Sequence, residues 1–436
     1  MTVDRRRFLV GSGLTLAGAL AAIRSGDGHT AAHLPISSDL SSWQGVRSQF
    51  AVSPEYIHLS AFFLTSHPAP VREAIEASRR GLDDNPFLFL EHDGTGLSSK
   101  VERTIAEYVG GVPNEIALTD STTMGLALIY HGLPLRAGQE ILTTEHDHYS
   151  HHESIRLSAL RSGAVVKKLR LFDNFASITQ GEIIARIRGS ITPKTRVVGV
   201  TWVHSSTGLK LPIRGIADAI AHVNKDRALD DRVILVVDGV HGIGVEDVEI
   251  AKVGADFFAA GTHKWVFGPR GTGFIWAQAE TWKMMRPVIP SFAGGPYFAW
   301  MSGSELKGMQ ANWMTPGGFH SFEHRWALPA AFDFHKAMGR ARVAERIHAL
   351  NDQAKEGLKK MPHIDLYTPR GSDLSAGLIC FDVKGMRPGA VVSRLLTKKV
   401  IASQSPYAPS YVRLAPSLLN SPEEIDKTLG YIREVG

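Results

Sequence analysis

The chain has a single cysteine, Cys380, among its 436 residues, so an intrachain disulfide is impossible. Its N-terminal apolar run, residues 8–23, is too short to span a membrane comfortably, because a spanning helix needs about 20 apolar residues. The formal net charge is only +5, and no basic stripe with interleaved aromatic residues is present. Nucleic-acid binding is therefore not expected.

The first residues resemble an export signal. Arg5, Arg6, Phe8 and Leu9 precede the apolar run as in a twin-arginine signal, and residues 19–21 offer a small-residue cleavage site. The alternatives are an uncleaved membrane anchor or a misassigned start. We expect a periplasmic protein that the twin-arginine translocase exports in folded form, a route that suits a chain that must first acquire a cofactor.

The rest of the chain has ordinary globular composition, 44% hydrophobic and 21% charged, without internal repeats. Short apolar segments alternate with helix patterns, which predicts a mostly parallel sheet covered by helices on both faces. Ligands of such sheets bind at the carboxyl ends of the strands. The predicted strands are residues 115–119, 140–144, 164–169, 196–201, 233–237 and 257–260.

After about residue 310 the pattern changes to long helices and few strands, with a strand at residues 378–383 and a capped C-terminal helix after Ser421. This predicts a smaller α+β domain. The predicted domains are a signal peptide and linker at 1–30, an N-terminal arm at 31–60, a large domain at 61–310 and a small domain at 311–436.

Hydroxyl side chains lie between a predicted strand and a predicted helix at Ser121, Thr122 and Thr123. Hydroxyls and free backbone N–H groups at a helix N-terminus suit a phosphate. The alternative is that Ser121 or Thr122 only caps the helix.

Four histidines and three acids lie within residues 145–153. Three interpretations are open: one ring stacks on a planar cofactor, the cluster binds a metal through a His-x-His pair, or the segment is a solvated loop.

A lysine follows a buried acid in a pattern that predicts a pyridoxal phosphate (PLP) site. Asp238 ends an apolar strand, and Lys264 comes 26 residues later, after the next strand. A lysine forms a Schiff base with an aldehyde cofactor, and a carboxylate holds a pyridinium nitrogen protonated. His241 is then placed to reach the phenolic oxygen and His263 to reach the phosphate. The alternative is a surface lysine and a strand-end cap.

Arg413 is a candidate clamp for a substrate carboxylate, because guanidinium binds carboxylate bidentately. The alternative is an ordinary surface arginine. The glycines at 268, 271 and 273 do not form a dinucleotide fingerprint, because they do not lead from a strand directly into a helix.

The order of these motifs resembles the class V aminotransferase family of fold-type I PLP enzymes, over roughly residues 55–432. The resemblance implies an α/β fold with a mostly parallel seven-stranded sheet and a smaller C-terminal α+β domain. It also implies PLP as cofactor and a homodimer with the site at the subunit interface. The implied roles are a Schiff-base lysine at Lys264, a pyridinium partner at Asp238, a stacked ring at His148, an O3′ contact from His241, phosphate contacts from Ser121, Thr122, Thr123, Thr262 and His263, and a substrate-carboxylate arginine at Arg413.

Within the family, residues 143–148 and the turn at 203–208 look closest to the isopenicillin N epimerase-like branch, which implies that Ser205 or Ser206 lies near the substrate. The cysteine desulfurase branch needs a nucleophilic cysteine before the arginine, and the corresponding residues 402–405 contain none. Cys380 lies in an apolar strand pattern, so desulfurase chemistry is not expected.

The family often shows a Gly-Thr pair that the partner subunit supplies to the phosphate. The corresponding residues here are 316–321, where Ser321 or His320 is the candidate substitute.

These observations predict an enzyme that acts at Cα of an amino acid or an amino-bearing, peptide-like metabolite. Transamination, epimerisation and β-elimination or C–S cleavage use the same residues and stay open. Periplasmic location suggests tailoring of a siderophore or another secreted peptide product. Two alternatives of other classes are a metal-dependent hydrolase that uses residues 146–153 and a cofactor-holding protein without turnover.

Overall fold

A seven-stranded mixed sheet carries the larger part of the computed structural model, which describes residues 39–173 and 178–435. The predicted export signal lies outside these residues. The strand order is β2-β8-β7-β6-β5-β3-β4, and β4, β3, β5, β6 and β7 are mutually parallel neighbours, whereas β8 is antiparallel to both β7 and β2. The strands are β1 (Ile57–His58), β2 (Ile116–Thr119), β3 (Glu140–Thr144), β4 (Val165–Leu169), β5 (Thr195–Thr201), β6 (Ile234–Asp238), β7 (Phe257–Gly261), β8 (Gly273–Trp276), β9 (Ile364–Leu366), β10 (Ile379–Val383), β11 (Val400–Ile401), β12 (Ser403–Gln404) and β13 (Val412–Leu414).

The predicted strands agree with the structure to within one residue at each end. They were recognisable because central parallel strands are buried on both faces and therefore read as continuous apolar runs. Strand β8 was missed, because the glycine-rich stretch before it predicts only a turn. The α/β prediction for the fold is confirmed.

Helices cover both faces of the sheet and pack beside the smaller one. Their ends follow local signals: Gly110 ends α4 in the left-handed region at φ 77°, and Ser421 and Glu424 form the predicted capping box of α15. The helices are α1 (Trp43–Ser48), α2 (Ala69–Asp84), α3 (Pro86–Phe89), α4 (Thr95–Val109), α5 (Thr122–Gly132), α6 (Tyr149–Ser162), α7 (Gln180–Ser190), α8 (Ile213–Asn224), α9 (Ala279–Trp282), α10 (Gly294–Ser302), α11 (Phe322–Trp326), α12 (Leu328–Met338), α13 (Arg340–Lys359), α14 (Pro388–Thr397) and α15 (Pro422–Val435).

The core has three parts. Alternate residues along the strands point to opposite faces, so Val237 belongs to one cluster and Val236 to another. A third cluster lies under the small antiparallel sheet β12-β13-β10-β9. The C-terminal α+β part therefore exists, while its predicted boundary at residues 310/311 stays a prediction.

One N-terminal segment, residues 57–65, contacts both parts. It begins as β1, which pairs in parallel with β11, and Ala415 then donates its N–H to Leu59 O at 2.8 Å. At its end, Thr65 Oγ1 donates to the carbonyl oxygens of His263 and Lys264 at 3.0 and 2.9 Å. The segment thus fixes the backbone at Lys264 relative to β13.

Across residues 39–173 and 178–435, none of the helices has the length and apolar character needed to cross a membrane.

Candidate active site

A pocket of about 220 Å³ lies at the carboxyl ends of the central strands. Thr201 is the last residue of β5, Asp238 is the last residue of β6, and Lys264 follows β7. Because these strands are parallel neighbours, all three side chains reach the same edge of the sheet. The pocket is where the alternation of strands and helices predicts a ligand.

Asp238 lies at the floor of the pocket and is only 2% exposed. Val240 N–H donates to its Oδ1 at 3.2 Å. Burial raises the pKa of Asp238 to about 6, although this hydrogen bond and Lys264 oppose the shift. A buried carboxylate that is this short of partners fits a cationic ring nitrogen, as the PLP prediction requires.

Lys264 Nζ lies 3.3 Å from His241 Nε2. Burial lowers the pKa of Lys264 to about 8, with Asp238 opposing the shift and Arg413 adding to it. The lowered pKa makes free amine more accessible than in an ordinary lysine, and free amine is the form that attacks an aldehyde or removes a proton.

The predicted phosphate residues surround the N-terminus of α5. Ser121 caps the helix by accepting from Met124 N–H at 3.1 Å, and it also lines the pocket, so its phosphate contact stays a prediction beside the observed cap. Thr122 Oγ1 accepts from Gly261 N–H at 2.7 Å, and its own proton remains available to a ligand. Thr123 and His263 complete this end of the pocket, and burial lowers the pKa of His263 to about 4, so its ring is neutral.

His148 is the one histidine of the 145–153 cluster that lines the pocket. Its Nδ1 accepts from Ser150 N–H at 3.2 Å, which leaves the ring proton on Nε2. Burial lowers the pKa of His148, so a neutral ring faces the pocket, as stacking on a cofactor requires.

The other members of this cluster have separate partners. His146 stacks on Phe172 at 4.4 Å between ring centroids, His151 Nε2 bonds to Tyr130 Oη at 2.7 Å, and His152 Nε2 donates to a backbone carbonyl. Asp147 accepts from three groups at the ends of β3 and β5. Within the part of the chain that the structure describes, no group of three His, Cys, Asp or Glu side chains is arranged to hold a metal.

Arg413 lies across the pocket from the phosphate end and is 6% exposed. Nε donates to Ser403 Oγ at 3.2 Å, and Nη1 and Nη2 donate to the carbonyl oxygens of Ser205 and Gln404 at 3.1 and 3.3 Å. Its guanidinium carbon lies 4.2 Å from the centroid of the Phe62 ring. A guanidinium has five N–H groups, so three are engaged and two remain, one on each terminal nitrogen.

No carboxylate of residues 39–173 or 178–435 forms an ion pair with Arg413. Its protein acceptors are neutral, and a buried cation with neutral partners is costly unless a ligand supplies the counter-charge. The two remaining N–H groups, one on each terminal nitrogen, can donate to a carboxylate.

The structure brings Ser205 to the pocket but not Ser206 or Thr262. Ser206 Oγ donates to His146 O at 3.2 Å, and the buried Thr262 hydroxyl bonds to Thr272 Oγ1 at 2.5 Å. Both therefore point away from the described lining of the pocket. Thr262 is kept out of the pocket by the hydrogen bonds that close its turn, since Gly268 N–H also donates to Thr262 O.

Sequence reasoning missed several residues at the pocket, including two phenylalanines that line it and a tyrosine beside Ser205. Phe62 and Phe63 line it from the N-terminal segment, and Tyr407 Oη bonds to Ser205 Oγ at 2.5 Å. Burial raises the pKa of Tyr407 to about 12, so the phenol is neutral. Tyr407 lies just after residues 402–405, which were inspected only for cysteine.

Cys380 lies in β10 and is fully buried. Burial raises the pKa of its thiol to about 12, which makes it a poor nucleophile. Its N–H donates to Thr368 Oγ1 at 2.7 Å, as expected for a core residue.

Comparison with known proteins gives a family. The profile of the family aminotransferase class-V matches residues 90–409. Isopenicillin N epimerase of Streptomyces clavuligerus is 25% identical over 402 residues, covering 89% of this chain and 97% of the epimerase. A probable cysteine desulfurase of Vibrio cholerae is 27% identical over 280 residues, covering 62% of this chain and 64% of the desulfurase.

The fold is also similar to solved structures. A mutant of C-DES with glycine covalently linked to its PLP cofactor matches with a TM-score of 0.79 at 22% identity, covering 89% of this chain and 99% of C-DES. A second similar solved structure, a complex of C-DES, names the protein a cystine C–S lyase. The relatives therefore agree on the architecture and differ in the reaction they are named for.

Asp238→Asn tests the charge state of the pocket floor in the apoprotein. The pKa of Asp238 is about 6 when folded and 3.8 ordinarily, so the folded state binds the extra proton and wild-type stability falls as pH rises between these values. We expect the free energy of unfolding of the variant, relative to wild type, to increase by about 2 kcal/mol between about pH 4 and about pH 7. Chemical unfolding at several pH values measures this, and a difference that is independent of pH would contradict it.

Proposed function

Because the chain belongs to the aminotransferase class-V family of PLP-dependent enzymes, we propose that it acts at Cα of an amino acid or amino-bearing, peptide-like metabolite, with Lys264 as the Schiff-base lysine. The observation that carries this proposal is the pairing of two groups across one pocket. Lys264 has a pKa of about 8, and Arg413 has two N–H groups left over and, among the residues that the structure describes, no acidic partner. An α-amino acid presents an amine and a carboxylate to these two groups.

When bound, PLP supplies an electron-accepting ring that stabilises negative charge at Cα. The residues fit this group by their chemistry. Asp238 would hold the ring nitrogen protonated, His241 would contact the phenolic oxygen, and Lys264 would move a proton at Cα. The further contacts are hydroxyls of Ser121, Thr122 and Thr123 and the ring of His263 for the phosphate, the ring of His148 for the cofactor face, and Ser205 and Arg413 for the substrate.

The outcome at Cα is proposed to be of the epimerase or aminotransferase type. Similarity to isopenicillin N epimerase over 97% of its length supports this choice. The hydroxyl groups of Ser205 and Tyr407, which lie beside Arg413, would contact the substrate.

A C–S or β-elimination lyase is the second candidate. Two observations support this candidate. The fold is similar to that of C-DES, which is named a cystine C–S lyase, and Cys380 is buried. The chain's only thiol is buried in β10, so elimination that uses no protein thiol fits the pocket better than persulfide transfer to the enzyme. Several relatives are named cysteine desulfurases, which leaves that reaction as an outcome that substrate screening decides.

Lys264→Ala tests the central assignment. We expect purified wild-type protein to be yellow and borohydride to fix the cofactor to Lys264, as found by mass spectrometry of the peptide. The variant should lose fixation and at least about 10³-fold in turnover, because both the covalent link and the base at Cα are gone. Lys283→Ala is the control, since Lys283 is exposed and pairs with Glu280. Full turnover in Lys264→Ala would refute the mechanism.

Arg413→Lys tests carboxylate recognition. A lysine is a single point charge and cannot reproduce the fork, so we expect Kd for amino acids to rise roughly 10- to 100-fold. Titration of the cofactor absorbance with a panel of amino acids, and with the corresponding amines that lack the carboxylate, measures this. The Kd for the amines should not rise comparably. Arg214→Lys serves as control, because Arg214 forms an exposed i,i+4 ion pair. Equal losses for acids and amines would remove Arg413 from this role.

The proposed homodimer has support in an exposed aromatic surface next to residues 316–321, the segment expected to reach the partner's phosphate. An exposed surface rich in large apolar side chains often marks an interface. Its exposed members are Phe292, Tyr297, Phe298, Trp300, Met301 and Phe319. His320 or Ser321 would then be the residue that one subunit supplies to the other.

Trp300→Asp should weaken the dimer and lower PLP affinity, because it places a charge on this surface and removes the partner's phosphate contact. Sedimentation and cofactor titration of the same samples measure both effects. Leu229→Asp is the control, since Leu229 is also highly exposed but belongs to a different element, a short 3₁₀ helix at Leu229–Asp231. A variant that stays dimeric would place the interface elsewhere.

Export by the twin-arginine translocase and a periplasmic, peptide-like substrate such as a siderophore remain proposals from the first residues of the sequence. Fractionation of cells that express either the native chain or the Arg5→Lys, Arg6→Lys variant tests export. Retention of the native chain in the cytoplasm would refute it.

A further inference from the structure

Trp265, the residue after Lys264, forms a hydrogen bond that decides where the proton of His241 lies. Trp265 Nε1 is 3.3 Å from His241 Nδ1, and both residues are buried. An indole N–H only donates, so His241 Nδ1 must accept with its lone pair. Burial lowers the pKa of His241 well below its ordinary value, and the ring is therefore neutral. A neutral ring that accepts at Nδ1 carries its single proton on Nε2.

The indole is held in place by two glycines that leave no room for a side chain. Gly244 and Gly377 lie in the left-handed region at φ 78° and 62°. A Cβ on Gly244 would lie 2.9 Å from the carbonyl carbon of Trp265, and one on Gly377 would lie 2.9 Å from Trp265 Cη2. His335 donates from Nε2 to Gly244 O at 3.1 Å, which holds the backbone of Gly244 against Trp265. The direction of the indole N–H is therefore set by close packing.

The proton on His241 Nε2 points at the reacting end of the pocket. Nε2 is 3.3 Å from Lys264 Nζ. With its proton there, the ring donates to an acceptor, such as the free amine of Lys264 or the phenolic oxygen of the cofactor. The other tautomer would present a lone pair and would favour the ammonium form of Lys264.

We propose that Trp265 is a positioning residue that fixes His241 in the Nε2–H tautomer, so that His241 faces Lys264 and the cofactor's phenolic oxygen as a hydrogen-bond donor. This inference deepens the proposed function and rests on it in taking His241 and Lys264 as cofactor contacts. The tautomer itself is a property of the chain and can be measured without cofactor.

The first test is ¹⁵N NMR of histidine-labelled apoprotein, with His241→Gln used to identify the His241 signals among the 19 histidines. We expect the protonated-type shift at Nε2 and the unprotonated-type shift at Nδ1. Trp265→Phe removes the indole N–H and keeps an aromatic ring, and it should give a mixture of tautomers. Trp282→Phe is the matched control, because Trp282 is also fully buried but donates to Glu115 O at 3.1 Å.

The second test is the pKa of Lys264 in apoprotein, from competitive amine labelling over a pH series with mass spectrometry. Trp265→Phe should raise it by about one unit, since His241 can then accept from the ammonium. Trp282→Phe should not change it. The other charged or titratable groups that face Lys264 are the same in all these variants; they are Asp238, Arg413, His148 and His263.

The third test is a double-mutant cycle. A glutamine at 241 brings its own N–H donor and does not depend on the indole, so Trp265→Phe should have no further effect on the pKa of Lys264 in the His241→Gln background. Additive effects would show that Trp265 acts only through packing.

An Nδ1–H tautomer in the wild-type apoprotein overturns the inference even if Trp265→Phe does not fold. So does an unchanged tautomer in Trp265→Phe. Borohydride fixation at Lys264 is read separately, so failure of the proposed function and failure of this inference give different results.

Discussion

Neighbouring parallel strands end at the same edge of a sheet, and β6 and β7 bring Asp238 and Lys264 together in this way. The rest of the pocket depends on this pairing. Helices α5 and α6 follow β2 and β3 and begin at the same edge, which places Ser121 and His148 around the same space. The sheet thus brings together groups that are far apart in sequence.

Burial then sets the charges of these groups. It raises the pKa of Asp238 and lowers that of Lys264, so each is drawn toward its neutral form. Arginine does not lose its proton in this range, so Arg413 keeps its charge among neutral acceptors. The pocket is therefore an environment in which an incoming anion gains more than it would in water, because the effective dielectric is low.

Much of this was predictable from the sequence because it depends on strand ends. Apolar runs locate the strands, and the residues after them locate Asp238, Lys264 and His148. The residues that could not be predicted depend on long-range packing. Thr65 reaches Lys264 only because β1 pairs with β11, and Thr262 turns away only because its turn closes on Thr272. No periodicity in the sequence encodes either contact.

The contact between Phe62 and Arg413 joins residues from near the two ends of the chain. A ribosome releases Phe62 long before Arg413, and the loop between them closes at an entropic cost that grows with its length. The sheet strands that carry Asp238 and Lys264 are complete long before. During biosynthesis the strands that carry Asp238 and Lys264 therefore leave the ribosome before Arg413, and the pocket is complete only after Arg413 has followed.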